Sequence, residues 1–346
     1  MEQLWGAVPV VCTLAEADAS DKKATHTRAY SVPRQSFFYL HMESIKESFS
    51  RLVDREQCVW LADEEGRPLP WHMPVSAVID ALAVARRCPA EAVLPLRLTV
   101  HFTLPSGKTG DLILKVKDDR IAKVAFYQRL KSSAICRFGS VEPLVAMQAS
   151  QLDEYDWFFT ALKNNDPVAY NLARKKLDTA ALVVNALQHE GGTATPDGIG
   201  GLLRSMSAAS SALRGTLPAA AMPTAVKKVA AAAPPETRIP LVLHVAGPSS
   251  GAFAAKPVVH SLQNVGKKTL GLVLKELLPT QMASVAAESL LDTQRANKPL
   301  DPSVGLVLVQ GVQPLLSTPL EFLYDRLAAT DGYLHVAVTF ATVRSM

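Results

Sequence analysis

The sequence predicts an α+β protein in which two copies of one β-rich topology flank a block of helices. Three observations support this fold class. Near both ends of the 346-residue chain, apolar residues alternate with polar ones over short runs, as in half-buried strands. In the middle they recur every three or four residues, as on one face of a helix. Residues 190–236 contain no aromatic residue and are rich in Ala, Gly, Pro and Ser, which predicts a low-complexity linker or insertion.

The first copy, with an N-terminal segment, is assigned to residues 1–110. Its first helix follows from the spacing of Met42, Ile45 and Phe49, and its last strand from alternating apolar residues. The order of elements is that of the ubiquitin-like β-grasp fold. The predicted elements are strands at 8–14 and 29–32, a helix at 41–54, strands at 58–62 and 69–71, a helix at 74–85 and a strand at 94–104.

The helix-rich domain is assigned to residues 111–189 and is predicted to contain three helices. Gly139 and Pro143 separate the first helix from the second, and residues 164–167 separate the second from the third. Asp166 is predicted to cap the third helix, with Pro167 in the first turn, where its missing N–H costs nothing.

The second copy is assigned to residues 237–346 and repeats the order of the first. Its predicted elements are strands at 239–245 and 258–262, a helix at 270–278, a strand at 305–310, a helix at 320–327 and a strand at 333–340. The second helix is predicted to begin with a capping box in which Thr318 and Glu321 bond to the backbone. The predicted fold is therefore α+β, with two ubiquitin-like β-grasp domains flanking a helix-rich domain.

Charge and cysteine spacing narrow the classes of function. The net charge of +4 is too small to indicate nucleic-acid binding. Residues 114–137 nevertheless carry seven basic residues against two acidic ones. This stretch is predicted to be either a solvated helix face or a surface for an acidic partner or anionic lipid.

The wide spacing of the cysteines fits no zinc motif, and no Gly-rich phosphate loop follows a predicted strand, so neither a metal nor a cofactor is expected. The cysteines are Cys12, Cys58, Cys88 and Cys136. Cys12 and Cys58 lie in apolar runs and are predicted to be core thiols. The chain begins without a secretory signal and has no apolar run of about 18 residues, which predicts a cytoplasmic protein.

One run of residues does not follow from helix or strand periodicity. Trp71 and His72 lie between prolines in Pro-Leu-Pro-Trp-His-Met-Pro, at residues 68–74. We predict that Trp71 fills the gap between sheet and helix and that His72 bonds locally. The other histidines near strands are also predicted to be hydrogen-bonded structural residues: His101, His244, His260 and His335.

This run and several others resemble the autophagy protein 5 family. The matching stretches are Ser-Phe-Phe-Tyr-Leu at 36–40, Gly-Arg-Pro-Leu-Pro-Trp-His-Met-Pro at 66–74, Thr-Val-His-Phe at 99–102, Gly-Val-Gln-Pro-Leu-Leu at 311–316 and Leu-His-Val at 334–336. The resemblance implies a non-catalytic scaffold with two ubiquitin-like domains around a helix-rich one. Residues 190–236 have no counterpart in it.

The resemblance also implies that one lysine is joined by an isopeptide bond to the C-terminal glycine of autophagy protein 12. In the family this lysine follows a phenylalanine by five residues, which places it at Lys131, after Phe126. Lys123 and Lys115 are the alternative acceptors. On the predicted helix, Lys131 interrupts an apolar face, so it is either a boundary lysine over the edge of the core or a nucleophile beside a docking patch. The apolar members of that face are Val124, Tyr127, Ala134, Ile135 and Phe138.

The implied partners follow from the same resemblance. Autophagy proteins 7 and 10 would activate and transfer the modifier, and the conjugate would bind autophagy protein 16. The complex would then promote transfer of autophagy protein 8 to phosphatidylethanolamine at the preautophagosomal membrane. Arg34, which follows Pro33 as in a family Pro-Arg pair, is expected to contact autophagy protein 16.

Three other interpretations are weighed against this one. A Cys-His hydrolase would use Cys136, but nothing local supports it. A ubiquitin-like modifier would need a C-terminal glycine, whereas the sequence ends in Val-Arg-Ser-Met. The remaining alternative is a β-grasp interaction module that is not conjugated.

Overall fold

The computed structural model divides the chain into two compact units. One comprises Met1–Tyr127 and Ile239–Met346, and the other Gln128–Arg238. The structure describes residues 5–54, 58–105, 113–115, 119–150, 152–189, 238–246, 258–262, 268–283, 299–301 and 304–340. None of the helices within these stretches has the length and hydropathy that a membrane crossing requires.

The first ubiquitin-like domain is built on a four-stranded sheet. Its elements are β1 (Ala7–Leu14), β2 (Thr27–Pro33), α1 (Met42–Phe49), β3 (Trp60–Ala62), α2 (Val75–Arg86) and β4 (Leu96–His101). The strand order is β2-β1-β4-β3, with β1 antiparallel to β2 and parallel to β4. The alternating burial of β1 places Val8, Val10 and Cys12 in the core, as the period of a strand requires.

The helix-rich part contains α3 (Asp119–Phe138), α4 (Glu142–Ser150), α5 (Leu152–Lys163) and α6 (Pro167–His189). The prediction of three helices was therefore wrong, because the predicted second helix is two. Since α4, α5 and α6 all contact one another, α4 and α5 cannot be halves of one straight helix. The predicted cap of α6 is confirmed: Asp166 Oδ1 accepts hydrogen bonds from the amides of Val168 and Ala169, at 2.9 and 3.0 Å.

The second ubiquitin-like domain repeats the topology of the first. Its elements are β5 (Ile239–Val245), β6 (Val258–Leu262), α7 (Leu270–Leu277), α8 (Pro279–Ala283), β7 (Gly305–Leu308), α9 (Leu320–Leu327) and β8 (Leu334–Phe340). The strand order is β6-β5-β8-β7, again with one parallel pair at the centre. The predicted fold class, two ubiquitin-like domains with a helical region between them, is confirmed.

Helix α2 is buried on every side, from Val75 to Val84. It contacts strands β7 and β8 of the second domain. Alternation along β8 places Leu334, Val336 and Val338 in the core of the second domain, and the opposite face, with His335, is buried as well. Helix α2 is therefore buried against the sheet of the second domain.

Several predicted boundaries were wrong. The helix predicted at 41–54 ends at Phe49 and is followed by a single 3-10 turn. The short strand predicted at 69–71 is reduced to an isolated bridge between Ala62 and Pro68. The predicted capping box does not form, because Pro319 and not Thr318 is the N-cap residue of α9. Here the chain pairs with the start of α7, where the Leu270 amide donates to the Thr318 carbonyl.

The predicted linker at 190–236 and the loop between β5 and β6 lie outside the described residues. The limits of the four predicted segments stay predictions. Of the two thiols predicted in the core, Cys12 is buried but Cys58 is only half-buried. All four cysteines lie among the described residues and are free.

Candidate functional site

Lys131 lies in the middle of α3 and is exposed to solvent. Its neighbours Leu130 and Ala134 are buried, so the packing of the helix fixes the backbone from which the lysine projects. No hydrogen bond or ion pair holds its ammonium group in the part of the chain that the structure describes. One turn further on, Ile135 is half exposed (50%). Lys131 therefore combines a reachable amine with an apolar neighbour.

The apolar face predicted around Lys131 is not a single buried stripe. Tyr127 and Ala134 are buried, whereas Val124 and Ile135 are about half exposed, at 51% and 50%. The helix buries a neighbouring set of residues that is rotated from the predicted face: Ala122, Phe126, Leu130 and Ser133. Lys131 lies one turn from the buried Tyr127 and Ala134, so the boundary lysine and the nucleophile beside a docking patch both stay predictions.

The two alternative acceptors differ from Lys131. Lys123 is half-buried and takes part in an interaction within the protein. Lys115 is exposed and lies next to residues 116–118, which are outside the described residues. Of the three candidates, Lys131 is the exposed lysine on a regular helix.

Arg34 and Asp80 bind opposite ends of one peptide group across the contact between the two ubiquitin-like domains. The Arg34 guanidinium donates to the carbonyl oxygen of Gln310 at 3.2 Å. The Asp80 carboxylate accepts from the amide of Gly311 at 2.8 Å. We call this arrangement the interdomain clasp. The structure thus places Arg34 against the protein's own second domain, and its contact with a partner stays a prediction.

A glycine is required at the clasp. Gln310 and Gly311 form a tight turn with φ of 55° and 81°, closed by two bonds between Val309 and Val312. A Cβ atom on Gly311 would lie 2.4 Å from Arg34 Nη2. A side chain at this position would therefore strain the turn and displace the guanidinium.

Further hydrogen bonds join the same two domains. The Gln35 amide donates to Gln310 Oε1 at 3.0 Å, and Thr330 Oγ1 donates to the Gln35 carbonyl at 2.6 Å. At the end of α2, Arg87 donates to the carbonyl of Phe340 at 2.7 Å. These contacts satisfy polar groups that burial would otherwise leave unpaired.

The electrostatics of the clasp centre on Asp80, which is 2% exposed. Burial raises the pKa of its carboxyl group to about 7, although the Arg34 charge and the turn amides act in the opposite direction. The nearby charge of Glu91 raises this pKa further. Sequence reasoning missed Asp80. A single acid within the mostly apolar run from Val75 to Val84 nevertheless indicates a buried carboxyl group.

Trp71 and His72 are both half-buried, and their rings contact each other edge to face with centroids 5.6 Å apart. Trp71 lines a small open apolar pocket of about 40 Å³ together with residues of α1 and β3, and its predicted packing between sheet and helix stays a prediction. Trp60 is the buried indole at this site: it stacks on His101 at 4.1 Å, and its Nε1 donates to the Thr103 carbonyl.

The strand histidines are structural in the described part of the chain. His335 is buried between the carboxylate of Asp331, at 3.1 Å, and the ring of His244, at 2.9 Å. His101 lies beside Asp18, and its pKa is lowered because burial outweighs that carboxylate. The side chain of His260 is outside the described residues. No group of three or more metal-ligating side chains is present among the residues that the structure describes.

Comparison with known protein families identifies both ubiquitin-like domains. Residues 4–102 match the family model described as "Autophagy protein ATG5, UblA domain". Residues 238–338 match "Autophagy protein ATG5, UblB domain". The two matched regions together make up more than half of the chain and contain both sheets.

Relatives and a solved structure agree with these matches. Autophagy protein 5 of Arabidopsis thaliana is 25% identical over 363 aligned residues, covering 98% of this chain and 96% of that protein. Autophagy protein 5 of Oryza sativa subsp. indica is 27% identical over 165 residues, covering 47% and 40%. The crystal structure of Kluyveromyces marxianus Atg5 covers 97% of both chains with a TM-score of 0.61 and 10% identity, which shows the shared fold. The chain belongs to the autophagy protein 5 family.

Proposed function

We propose that this protein is an autophagy scaffold whose Lys131 is joined to the C-terminal glycine of autophagy protein 12. Membership of the autophagy protein 5 family places the chain in autophagy, and its ubiquitin-like domains fit a scaffold. The observation that carries the proposal is the exposure of Lys131 on a helix whose other side is buried.

For conjugation, this chain needs only to present the amine of Lys131 to the conjugating enzyme. The neutral Nζ attacks the thioester carbonyl that the conjugating enzyme carries. The new C–N bond is the isopeptide bond, the C–S bond breaks, and the proton of the amine passes to a base or to solvent. Ile135, one turn away, offers an apolar contact for the incoming modifier or enzyme. In this proposal the chain supplies no catalytic side chain.

The conjugate is proposed to bind autophagy protein 16 and to promote transfer of autophagy protein 8 to phosphatidylethanolamine. Autophagy proteins 7 and 10 would activate and deliver the modifier. Contact with autophagy protein 16 is proposed to involve both ubiquitin-like domains and Arg34. The interdomain clasp supports a surface made by both domains, because it joins them through buried hydrogen bonds. Recruitment to the preautophagosomal membrane, with the basic stretch at 114–137 facing anionic lipid, belongs to the same proposal.

Reconstitution tests the acceptor. The purified chain is incubated with ATP and with autophagy proteins 7, 10 and 12 of the same organism, and intact mass is measured. We expect an adduct one modifier larger, without the mass of one water, for the wild type and for Lys175→Arg, an exposed lysine of α6. Lys131→Arg should give no adduct, because arginine is not nucleophilic at neutral pH.

An adduct that persists in Lys131→Arg would contradict the assignment, and tryptic mapping would then distinguish Lys123 from Lys115. A wild-type chain that forms no adduct but still binds autophagy protein 16 would instead be the non-conjugated β-grasp interaction module.

A further inference from the structure

The two edge strands of the first sheet, β3 and β2, differ in whether another segment pairs with their outer side. Strand β3 is short, and the segment 67–69 covers its outer side. The amide of Leu69 donates to the Leu61 carbonyl and that of Asp63 to the Arg67 carbonyl, both at 2.9 Å. Strand β2 forms the opposite edge, and no strand of the described residues pairs with its outer side.

The register identifies which backbone groups of β2 point away from the sheet. The amide of Leu14 donates to the His26 carbonyl, and that of Arg34 to the Gly6 carbonyl, which marks the even-numbered residues of β2 as the hydrogen-bonded ones. The amides and carbonyls of Thr27, Ala29 and Ser31 therefore point outward. Arg28 Nη1 donates to the Thr27 carbonyl at the end of the strand. The centre of the edge is formed by Ala29 and Ser31.

The centre of this edge, at Ala29 and Ser31, has no bulge, proline or charge to block strand addition. The seven residues of β2 pair with β1 in one continuous register without a bulge. The residues with outward backbone groups carry small, exposed side chains, and the single proline, Pro33, is the last residue of the strand. An added strand would lie at the usual spacing of about 4.8 Å from β2.

The charge near β2 indicates which segment would fit. Lys22, Lys23 and Arg28 are all exposed where the chain enters the strand. Asp21 is the single acidic residue between positions 21 and 28, and its carboxylate accepts the backbone amide of Lys23. Acidic side chains on an added strand would meet this basic end.

We propose that β2 is a docking edge for an extended acidic segment of a partner protein, which adds to the first sheet as a fifth strand. Affinity would come from backbone hydrogen bonds to Ala29 and Ser31, and preference for acidic segments from Lys22, Lys23 and Arg28. This edge belongs to the first ubiquitin-like domain and does not involve Lys131, so the proposal does not depend on conjugation.

Peptide titration of the full chain tests the proposal. The probe is fluorescein-labelled Glu-Glu-Val-Thr-Val-Thr-Val-Glu-Glu, and its counterpart has lysine in place of each glutamate; binding is followed by fluorescence anisotropy. Ala29→Pro removes an outward amide that β1 does not use, whereas the control Ala29→Thr keeps it. We expect Ala29→Pro and the lysine peptide each to weaken binding at least about tenfold, a difference of about 1.4 kcal/mol.

Circular dichroism and thermal unfolding verify that Ala29→Pro is folded, and Ser31→Pro is a second variant on the same principle. The proposal is overturned if the wild type binds neither peptide, if the proline variants bind as tightly as wild type, or if the two peptides bind equally. Concentration-dependent dimerisation that Ala29→Pro abolishes would show that a second copy of this chain occupies the edge, which also contradicts the proposal.

Discussion

Asp80 is a buried acid that accepts a backbone amide across the interdomain clasp, and its protonation is linked to folding. In the unfolded chain its pKa is near 3.8, and burial raises the folded value to about 7. Between these values the folded state holds a proton that the unfolded state has released. The contribution of Asp80 to stability is therefore fully present below the unfolded pKa. It is lost as pH rises through the folded pKa, by an amount on the order of a few kcal/mol.

We expect Asp80→Asn to remove most of this loss, because asparagine does not ionise and its oxygen still accepts the Gly311 amide. Urea midpoints at pH 5 and pH 8 measure this loss of stability. The midpoint should fall more between pH 5 and pH 8 for the wild type than for Asp80→Asn. His41, whose pKa burial lowers to about 4, acts in the opposite direction as pH falls, and it is common to both proteins. Exposed Asp325→Asn is the control. Equal pH dependence in wild type and Asp80→Asn would refute the linkage.

At the same scale, sequence alone indicates some site residues and not others. Lys131 and Arg34 can be named because each stands at a fixed position in a short motif. The partner of Arg34 cannot be named from the sequence. Gln310 lies 276 residues away in the sequence, and only the contact between the two folded domains brings it near. Gly311 belongs to a recognisable motif, but the reason for a glycine there, that a Cβ atom would clash with the Arg34 guanidinium, appears only in the folded chain.

Among the elements, α2 is the one whose environment departs most from a surface helix. Its ten buried positions include one hydroxyl, Ser76 Oγ, that has no hydrogen-bond partner among the described residues. A helix that is apolar on all sides is a buried helix, and this much follows from the sequence. The sequence of α2 does not show that the helix packs against the sheet of the other domain, because no local pattern identifies a distant neighbour.

Replacing Ser76 by Ala should leave stability unchanged or raise it by up to about 1 kcal/mol, because a buried hydroxyl without a partner only costs desolvation. Ser36→Ala is the matched change, since the Ser36 hydroxyl lies 2.8 Å from His41 Nε2 and is equally buried. It should lower stability by about 1 kcal/mol. Urea unfolding compares the two. A loss in Ser76→Ala as large as in Ser36→Ala would mean that a buried water bonds this hydroxyl.

Element boundaries were the weakest predictions, for physical reasons. The sequence does not reveal the break between α4 and α5, because no glycine or proline stands at residues 150–152, and only the packing of the helices shows the fold-back. Thr318 and Glu321 have the spacing of a capping box, yet Thr318 is used in the pairing of two loop segments. At the start of α7, by contrast, the hydroxyl of Thr269 caps the helix by accepting the amide of Leu272.

For the molecule as a whole, the two ubiquitin-like domains form one compact unit although the helix-rich part lies between them in the sequence. The sequence predicted the repeated topology, since each domain carries its own alternating strands. It did not predict the contact between the domains. The apolar residues of β8 indicate a strand buried on both faces, but they do not indicate which element covers the outer face.

Dividing the chain tests this contact. Residues 1–189 and a tagged fragment of residues 238–346 are co-expressed as separate polypeptides. We expect them to co-purify in equal amounts, because α2 buries the second face of the sheet of the second domain. Gly311→Arg in the second fragment should abolish co-purification, whereas Val312→Arg, at an exposed neighbour, should not. Recovery of a folded second fragment alone would contradict this.

The position of Cys12 has a chemical consequence for the whole domain. It lies in β1, paired on one side with β2 and on the other with β4, and burial raises the pKa of its thiol to about 12. Peroxides and mixed disulfides are attacked by the thiolate, a form that this sulfur does not adopt in the intact sheet. Peroxide therefore leaves Cys12 unmodified in the intact sheet, and its thiol reacts only in molecules in which β1 has separated from β2 and β4.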